Sequence, residues 1–242
     1  MLLIWDCIMR YLMATFLLLF VLGCRMTTER IDGYEIHGID ISHYQGRIDW
    51  NAVADQRVHF AIHKATEGSE YQDSLFARNW PEIERVGLYR GAYHFFRPEV
   101  APEVQALNFT RTVHLKSGDL PPVLDVEVIG ELSASQLQRS VQTWLTIIET
   151  HYGIRPILYS GQKFYNQHLQ GHFDHYPLWI ARYSSNQPDL NGTATWKFWQ
   201  YGDRGQLKGI HGPVDFNVFD GSLHSLRALT VPDSLILTAA PF

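Results

Sequence analysis

Between His37 and Phe219 the chain carries eight short apolar runs of strand length, and helical spacing follows only the first five. The runs are 37–42, 58–65, 88–96, 123–128, 155–160, 177–181, 197–201 and 214–219. The spacing predicts a short helix from Ile48 to Arg57, then helices over 73–86, 101–116 and 133–151, and a weak one over 161–169. Ser133 is placed to cap the fourth of these, and Gly153 to end it. Strands that alternate with helices bury both faces of a parallel sheet, so the expected fold is α/β. Five β/α units followed by three closing strands with little helix predict an irregular TIM-like barrel. The barrel domain is expected over 37–228, with a linker over 25–36 and an unassigned tail over 229–242.

Functional groups in such barrels gather where the parallel strands end. The fourth run, Val123-Leu-Asp-Val-Glu-Val128, follows two prolines and carries Asp125 and Glu127. Residues two apart on a strand share a face, roughly 7 Å apart along it. Two carboxyls on one face of an apolar strand are costly unless hydrogen-bonded or wet. Such a pair is either satisfied by neighbouring polar groups or a catalytic pair with separated pKa values. Asp40 also lies near the end of its strand, whereas Asp215 stands at the start of the last one.

The N-terminus carries an apolar run, Tyr11 to Leu22, too short for a membrane span of about 20 residues. It ends in Val21-Leu-Gly-Cys24, which resembles the lipobox of bacterial lipoproteins and implies lipidation at Cys24. An ordinary cleaved signal peptide over 1–24 implies the same export. Met1 to Ile8, with Asp6 and Trp5, fits a leader poorly, and a start at Met9 gives a compact one. The expected location is the bacterial cell envelope through a lipid anchor, otherwise the periplasm or the medium. Both cysteines, Cys7 and Cys24, lie in the leader, so the domain has no internal disulfide. A formal charge of −5 and the lack of a basic run argue against a nucleic-acid partner.

Several segments together resemble the family-25 glycoside hydrolases, the Chalaropsis-type lysozymes, over roughly 37–220. They are Gly38-Ile-Asp-Ile-Ser42, Lys64-Ala-Thr-Glu-Gly68, Gly91-Ala-Tyr-His-Phe-Phe96 and Leu124-Asp-Val-Glu127. Ile157-Leu-Tyr-Ser160, Leu178-Trp-Ile-Ala-Arg-Tyr183, Trp199-Gln-Tyr201 and Gly212-Pro-Val-Asp-Phe-Asn217 follow in order. The resemblance implies an eight-stranded barrel that cleaves the β-1,4 bond between N-acetylmuramic acid and N-acetylglucosamine. It implies Glu127 as general acid, Asp125 as its partner, and Asp40 and Asp215 completing an acidic mouth. How the cationic sugar centre is stabilised stays open between a protein nucleophile, inversion and the substrate's own N-acetyl oxygen, the last being favoured. Tyr93, Tyr159, Trp179, Tyr183, Trp199 and Tyr201 match the family's sugar groove, with two or three expected in the core instead. Lys64 and Glu67 are expected as a rim ion pair or a solvated surface pair.

Other signals are weaker. His168, His172 and His175 crowd one polar loop, but no Cys or HExxH accompanies them and no metal is expected. His94 reads as a hydrogen-bonding wall residue. No G-x-S-x-G elbow, P-loop or dinucleotide glycine pattern is present, and no cofactor is expected. The expectation is a monomer acting on peptidoglycan strands, meeting a membrane only through its anchor. The alternatives are a barrel that binds glycan without cutting it, and a glycosidase of chitin-like polymers.

Overall fold

The computed structural model describes residues 28–233. The leader, Cys24 with its expected lipidation, and tail residues 234–242 lie outside the described residues. The strands are β1 (Ile36–Ile41), β2 (Phe60–Glu67), β3 (Tyr71–Gln72), β4 (Tyr89–Phe95), β5 (Val123–Asp125), β6 (Ile157–Gly161), β7 (Leu178–Ala181), β8 (Trp196–Gly205) and β9 (Val214–Phe219). The helices are α1 (Trp50–Ala54), α2 (Phe76–Arg85), α3 (Pro102–Thr112), α4 (Ala134–Tyr152), α5 (Gln162–Phe164) and α6 (Leu223–Leu229). The weak helix expected over 161–169 is the single turn α5 running into a π-helical turn, Tyr165–Leu169.

The sheet closes in the order β1-β2-β4-β5-β6-β7-β8-β9, with β9 returning to β1. Every neighbouring pair from β1 to β8 is parallel. Only β9 runs against both its neighbours. That is the irregular TIM-like barrel of five β/α units and three closing strands. The two-residue β3, which hairpins onto the end of β2, had no sequence signature, and α6, capped by Ser222, adds to the helices expected from the spacing.

Alternation along each strand sorts side chains between the lumen and the outer shell. Phe60, Ile62, Val123, Ile157, Phe198 and Phe219 fill the lumen. Close packing there requires Gly38, because a Cβ at this position would stand 2.3 Å from the Phe60 ring. Outside, α3 and α4 bury Phe109, Leu137, Val141 and Trp144 against the strands. Residues 28–35, expected as linker, lie on the barrel: Thr28 donates its N–H to the Arg204 carbonyl at 3.0 Å, and Ile31 and Tyr34 pack on the outer core.

Candidate active site

The C-terminal ends of the parallel strands form one rim. β5 ends at Asp125, so Glu127 lies beyond the strand rather than on it. The alternation nevertheless continues: Val126 is buried in the outer shell while Asp125 and Glu127 both line the pocket. Val126 keeps this register by donating its N–H to the Tyr159 carbonyl at 3.0 Å. Asp215 reaches the same rim from the start of β9 because that strand is antiparallel, and it stands opposite Asp40 of β1. The strand direction, invisible in the sequence, thus turns the odd placement of Asp215 into a regular one.

A pocket of about 130 Å³ results, lined by Asp40, Tyr93, Asp125, Glu127, Tyr159, Trp179, Tyr183, Gln200 and Asp215. All four predicted acids meet there, with four of the six predicted aromatics. Trp199 and Tyr201 do not. They are buried on the outer face of β8, where the Trp199 indole donates to the Arg182 carbonyl at 2.9 Å and stacks edge-on with Tyr201. The strand period explains the correction, since Phe198 and Gln200, on either side of Trp199, occupy the inward positions. Trp179 faces the pocket but is buried, its indole donating to Asn217 Oδ1 at 2.8 Å.

Gln200 and Asn217 are the functional residues that the motif reading passed over. Gln200 Nε2 donates to both oxygens of Asp40, at 3.1 and 3.0 Å, and to Asp215 Oδ2 at 3.3 Å. Its Oε1 accepts from the Tyr159 hydroxyl at 2.8 Å and the Tyr183 hydroxyl at 3.2 Å. Asn217 Nδ2 donates to Asp40 Oδ2 at 2.6 Å. A signal existed: each is an amide inside an apolar strand, and a buried amide has to find partners.

Burial raises the proton affinity of every acid here. Asp40 and Asp215 are both shifted up by burial, Asp215 further by the charge of Asp40 beside it, so the two favour holding a proton between them. Asp125 is held well above the usual carboxylate range, first by burial and then by the charge of Glu127. Glu127 is raised by desolvation, but less, because its hydrogen bond to Asp125 and the Lys64 ammonium favour its charged form. Its side chain is the exposed member of the pair, at the mouth. Asp125 Oδ1 is buried and accepts from no N–H or hydroxyl of the described residues. The Tyr93, Tyr159 and Tyr183 phenols are raised by burial, and those of Tyr159 and Tyr183 donate to Gln200.

Lys64 and Glu67 do pair at the rim, at 2.5 Å and mostly buried, and Arg97 joins them with its Nε 2.8 Å from Glu67 Oε1. His94 is a buried wall residue between Thr66 Oγ1 at 2.7 Å and Gln105 Oε1 at 3.0 Å. Among the described residues no three His, Cys, Asp or Glu side chains converge as a metal site. His168, His172 and His175 each lie against an aromatic neighbour instead. A larger groove of about 880 Å³ opens between the end of α4 and α6. It lies at the N-terminal ends of the strands, and two of its acids have structural partners: Glu149 with Arg155 at 3.6 Å, Asp174 with the Tyr165 hydroxyl at 2.7 Å. The four acids gather instead in the smaller pocket.

The family model described as glycosyl hydrolases family 25 matches residues 39–210. YegX of Escherichia coli (strain K12), itself uncharacterised, is 50% identical over 200 residues, 81% of this chain and 73% of that one. Lysozyme M1 of Streptomyces globisporus is 35% identical over 208 residues, 80% of this chain and 71% of that one. The structure of a family 25 glycosyl hydrolase from Bacillus anthracis matches with a TM-score of 0.80 and 33% identity, over 86% of this chain and 99% of that one. The matched span runs from β1 through β8 and holds three of the four clustered acids, and by these matches the chain belongs to the family 25 glycosyl hydrolases.

Proposed function

We propose that this protein is a muramidase, hydrolysing the β-1,4 bond from N-acetylmuramic acid to N-acetylglucosamine in peptidoglycan. The observation that carries the reading is the Asp125–Glu127 pair: buried Asp125, held well above the usual carboxylate range, lies beside Glu127 at the mouth so that the two can share a proton, and Asp125 Oδ1 meets no N–H or hydroxyl of the described residues. An unsatisfied buried acceptor suits a donor brought by the substrate, and the N-acetyl N–H is one. When that N–H donates to Asp125, Asp125 needs the shared proton less and the proton passes to Glu127. Glu127 then protonates the glycosidic oxygen as its bond to C1 breaks, and the N-acetyl carbonyl oxygen closes on C1. Water opens the resulting oxazolinium ring, with the Glu127 carboxylate taking its proton. Asp40 and Asp215, carrying one negative charge between them, face the cationic centre.

Purified protein is incubated with peptidoglycan, new reducing ends are reduced with borohydride, and the hydrolysate is expected to contain muramitol. Glu127→Gln is expected to lower turnover by roughly 10²–10⁴-fold while glycan still binds. Glucosaminitol instead would move the cut to the neighbouring bond. Wild-type protein that binds glycan and releases no product would make this a binding barrel. Near-normal turnover in Asp125→Asn would remove its role toward the amide.

A further inference from the structure

Three aromatic side chains are exposed among the described residues: Tyr44, Tyr71 and Tyr183, at 81%, 42% and 57%. All three stand on the rim that carries the acids. Tyr44 lies in the turn that follows β1, Tyr71 in the hairpin at the end of β2, and Tyr183 just after β7. The other exposed large apolar residues, Val104, Leu107 and Leu223, lie on α3 and α6.

Counting strands around the closed barrel places β2 opposite β7 and β5 opposite β9. Those two diameters cross at right angles. One carries the exposed tyrosines; the other carries Asp125–Glu127 at one end and Asp215, with Asp40 alongside, at the other. A linear polymer laid along the tyrosine diameter passes between the two acid pairs, one on each flank.

The Tyr44–Tyr71 end is built rather than incidental. Buried Asp73 accepts from the His43 N–H and from His43 Nδ1, both at 2.9 Å, and from the Leu75 N–H at 3.0 Å. This ties the turn after β1 to the β2–β3 hairpin. The His43 ring lies tilted against Tyr44 with centroids 4.2 Å apart, and the Tyr71 hydroxyl meets His43 Nδ1 at 3.2 Å. Lys64 lies over the Tyr71 ring at 5.3 Å and over Phe95 at 5.0 Å, and its charge acts on both Asp125 and Glu127. Lys64 thus links the platform to the acids through its charge. Flat apolar faces with polar edges, fixed in advance, suit pyranose rings.

We infer that Tyr44 and Tyr71 form a distal sugar-binding platform, and that the glycan runs from it across the mouth to Tyr183. This rests on the proposed action on glycan strands and adds where the strand lies and how much of it is gripped. The test uses glycan strands freed of peptide and sorted by length, with affinities measured on the full chain carrying Glu127→Gln. Added to that background, Tyr44→Ala and Tyr71→Ala are expected to weaken binding of a decasaccharide by about three- to tenfold. Disaccharide binding is expected to stay unchanged, and Tyr44→Phe and Tyr71→Phe to keep decasaccharide affinity. Unchanged decasaccharide affinity in the alanine variants, or equal losses at both lengths, would overturn the platform. Wild-type protein that binds decasaccharide in a Tyr44- and Tyr71-dependent way without cutting would sink the proposed reaction and leave the platform standing. Wild type that binds neither length would end both.

Discussion

A buried amide has two donor hydrogens and an acceptor oxygen to satisfy, and Gln200 uses them to join two carboxyls to two phenols. That makes it a positioning residue for the mouth, with a consequence that a merely structural residue would lack. In Gln200→Glu, an ionised side chain would repel Asp40 and Asp215, while a protonated one could again donate. Turnover of Gln200→Glu at neutral pH is expected to fall by roughly ten- to a hundredfold, the scale of lost hydrogen bonds to charged groups, and to recover on acidification. Gln200→Met, which has no donor at any pH, is expected to show no such recovery. Parallel pH–rate profiles on peptidoglycan check this, and identical profile shapes would remove the role. At this scale the four acids were legible because each stands in a recognisable motif. The aromatics were less so, since Trp199 and Tyr201 sit in a matching motif yet the strand period turns them outward and brings in the Gln200 between them. Applying that period to β8 would have separated the three.

Elements whose limits are set by local chemistry were read closely. In α4, Ser133 and Gln136 satisfy each other's backbone N–H groups as a capping box, and Gly153 ends the helix at φ 67°. Ser133→Ala is expected to cost about 1 kcal/mol of stability, and Gly153→Ala about the same, because alanine is strained at positive φ. Denaturant midpoints would register both. Since α4 packs on the shell behind β5 and β6 and not on the pocket, turnover is expected to hold at temperatures where both variants stay folded. Elements defined by partners were not legible. β3 is two residues long and exists through its pairing with Thr66 and Glu67. β5 stops at Asp125 although the apolar pattern runs on, because beyond it only the Val126 N–H makes a backbone bond to a neighbouring strand, at Tyr159, while the Val126 carbonyl is taken by the Ser160 hydroxyl at 2.8 Å.

Across the whole molecule, two sets of buried titratable groups pull stability in opposite directions with pH. Burial lowers His63 and His94 to about 4. In the unfolded chain they titrate near 6.5. Their neutral forms thus contribute fully above 6.5, and the contribution is lost as pH falls toward 4, by roughly 3 kcal/mol each at most. The pocket acids work the other way. Their folded values are raised, so the folded state is favoured while they stay protonated and loses stability as pH rises through those values. Asp125→Asn removes one such group. Its thermal midpoint at neutral pH is expected to exceed that of the wild type, with a steeper fall between pH 6.5 and 4. Equal pH slopes in a thermal-shift series would refute the assignment. The barrel itself was legible from the order of strands and helices, but the reversed direction of β9 was not, because nothing within Val214–Phe219 records which neighbours it meets.

That reversal ties chemistry to the timing of synthesis. Asp40 leaves the ribosome early, and Asn217, which grips it, comes 177 residues later. Until β9 docks between β1 and β8, Asp40 has none of its partners from that strand and the mouth has no second acid pair. Contacts so far apart along a chain form slowly, and a slip of β9 by one residue would turn Asp215 and Asn217 away from the lumen together. On the proposed reaction, an incomplete or misregistered barrel would therefore also lack its second acid pair.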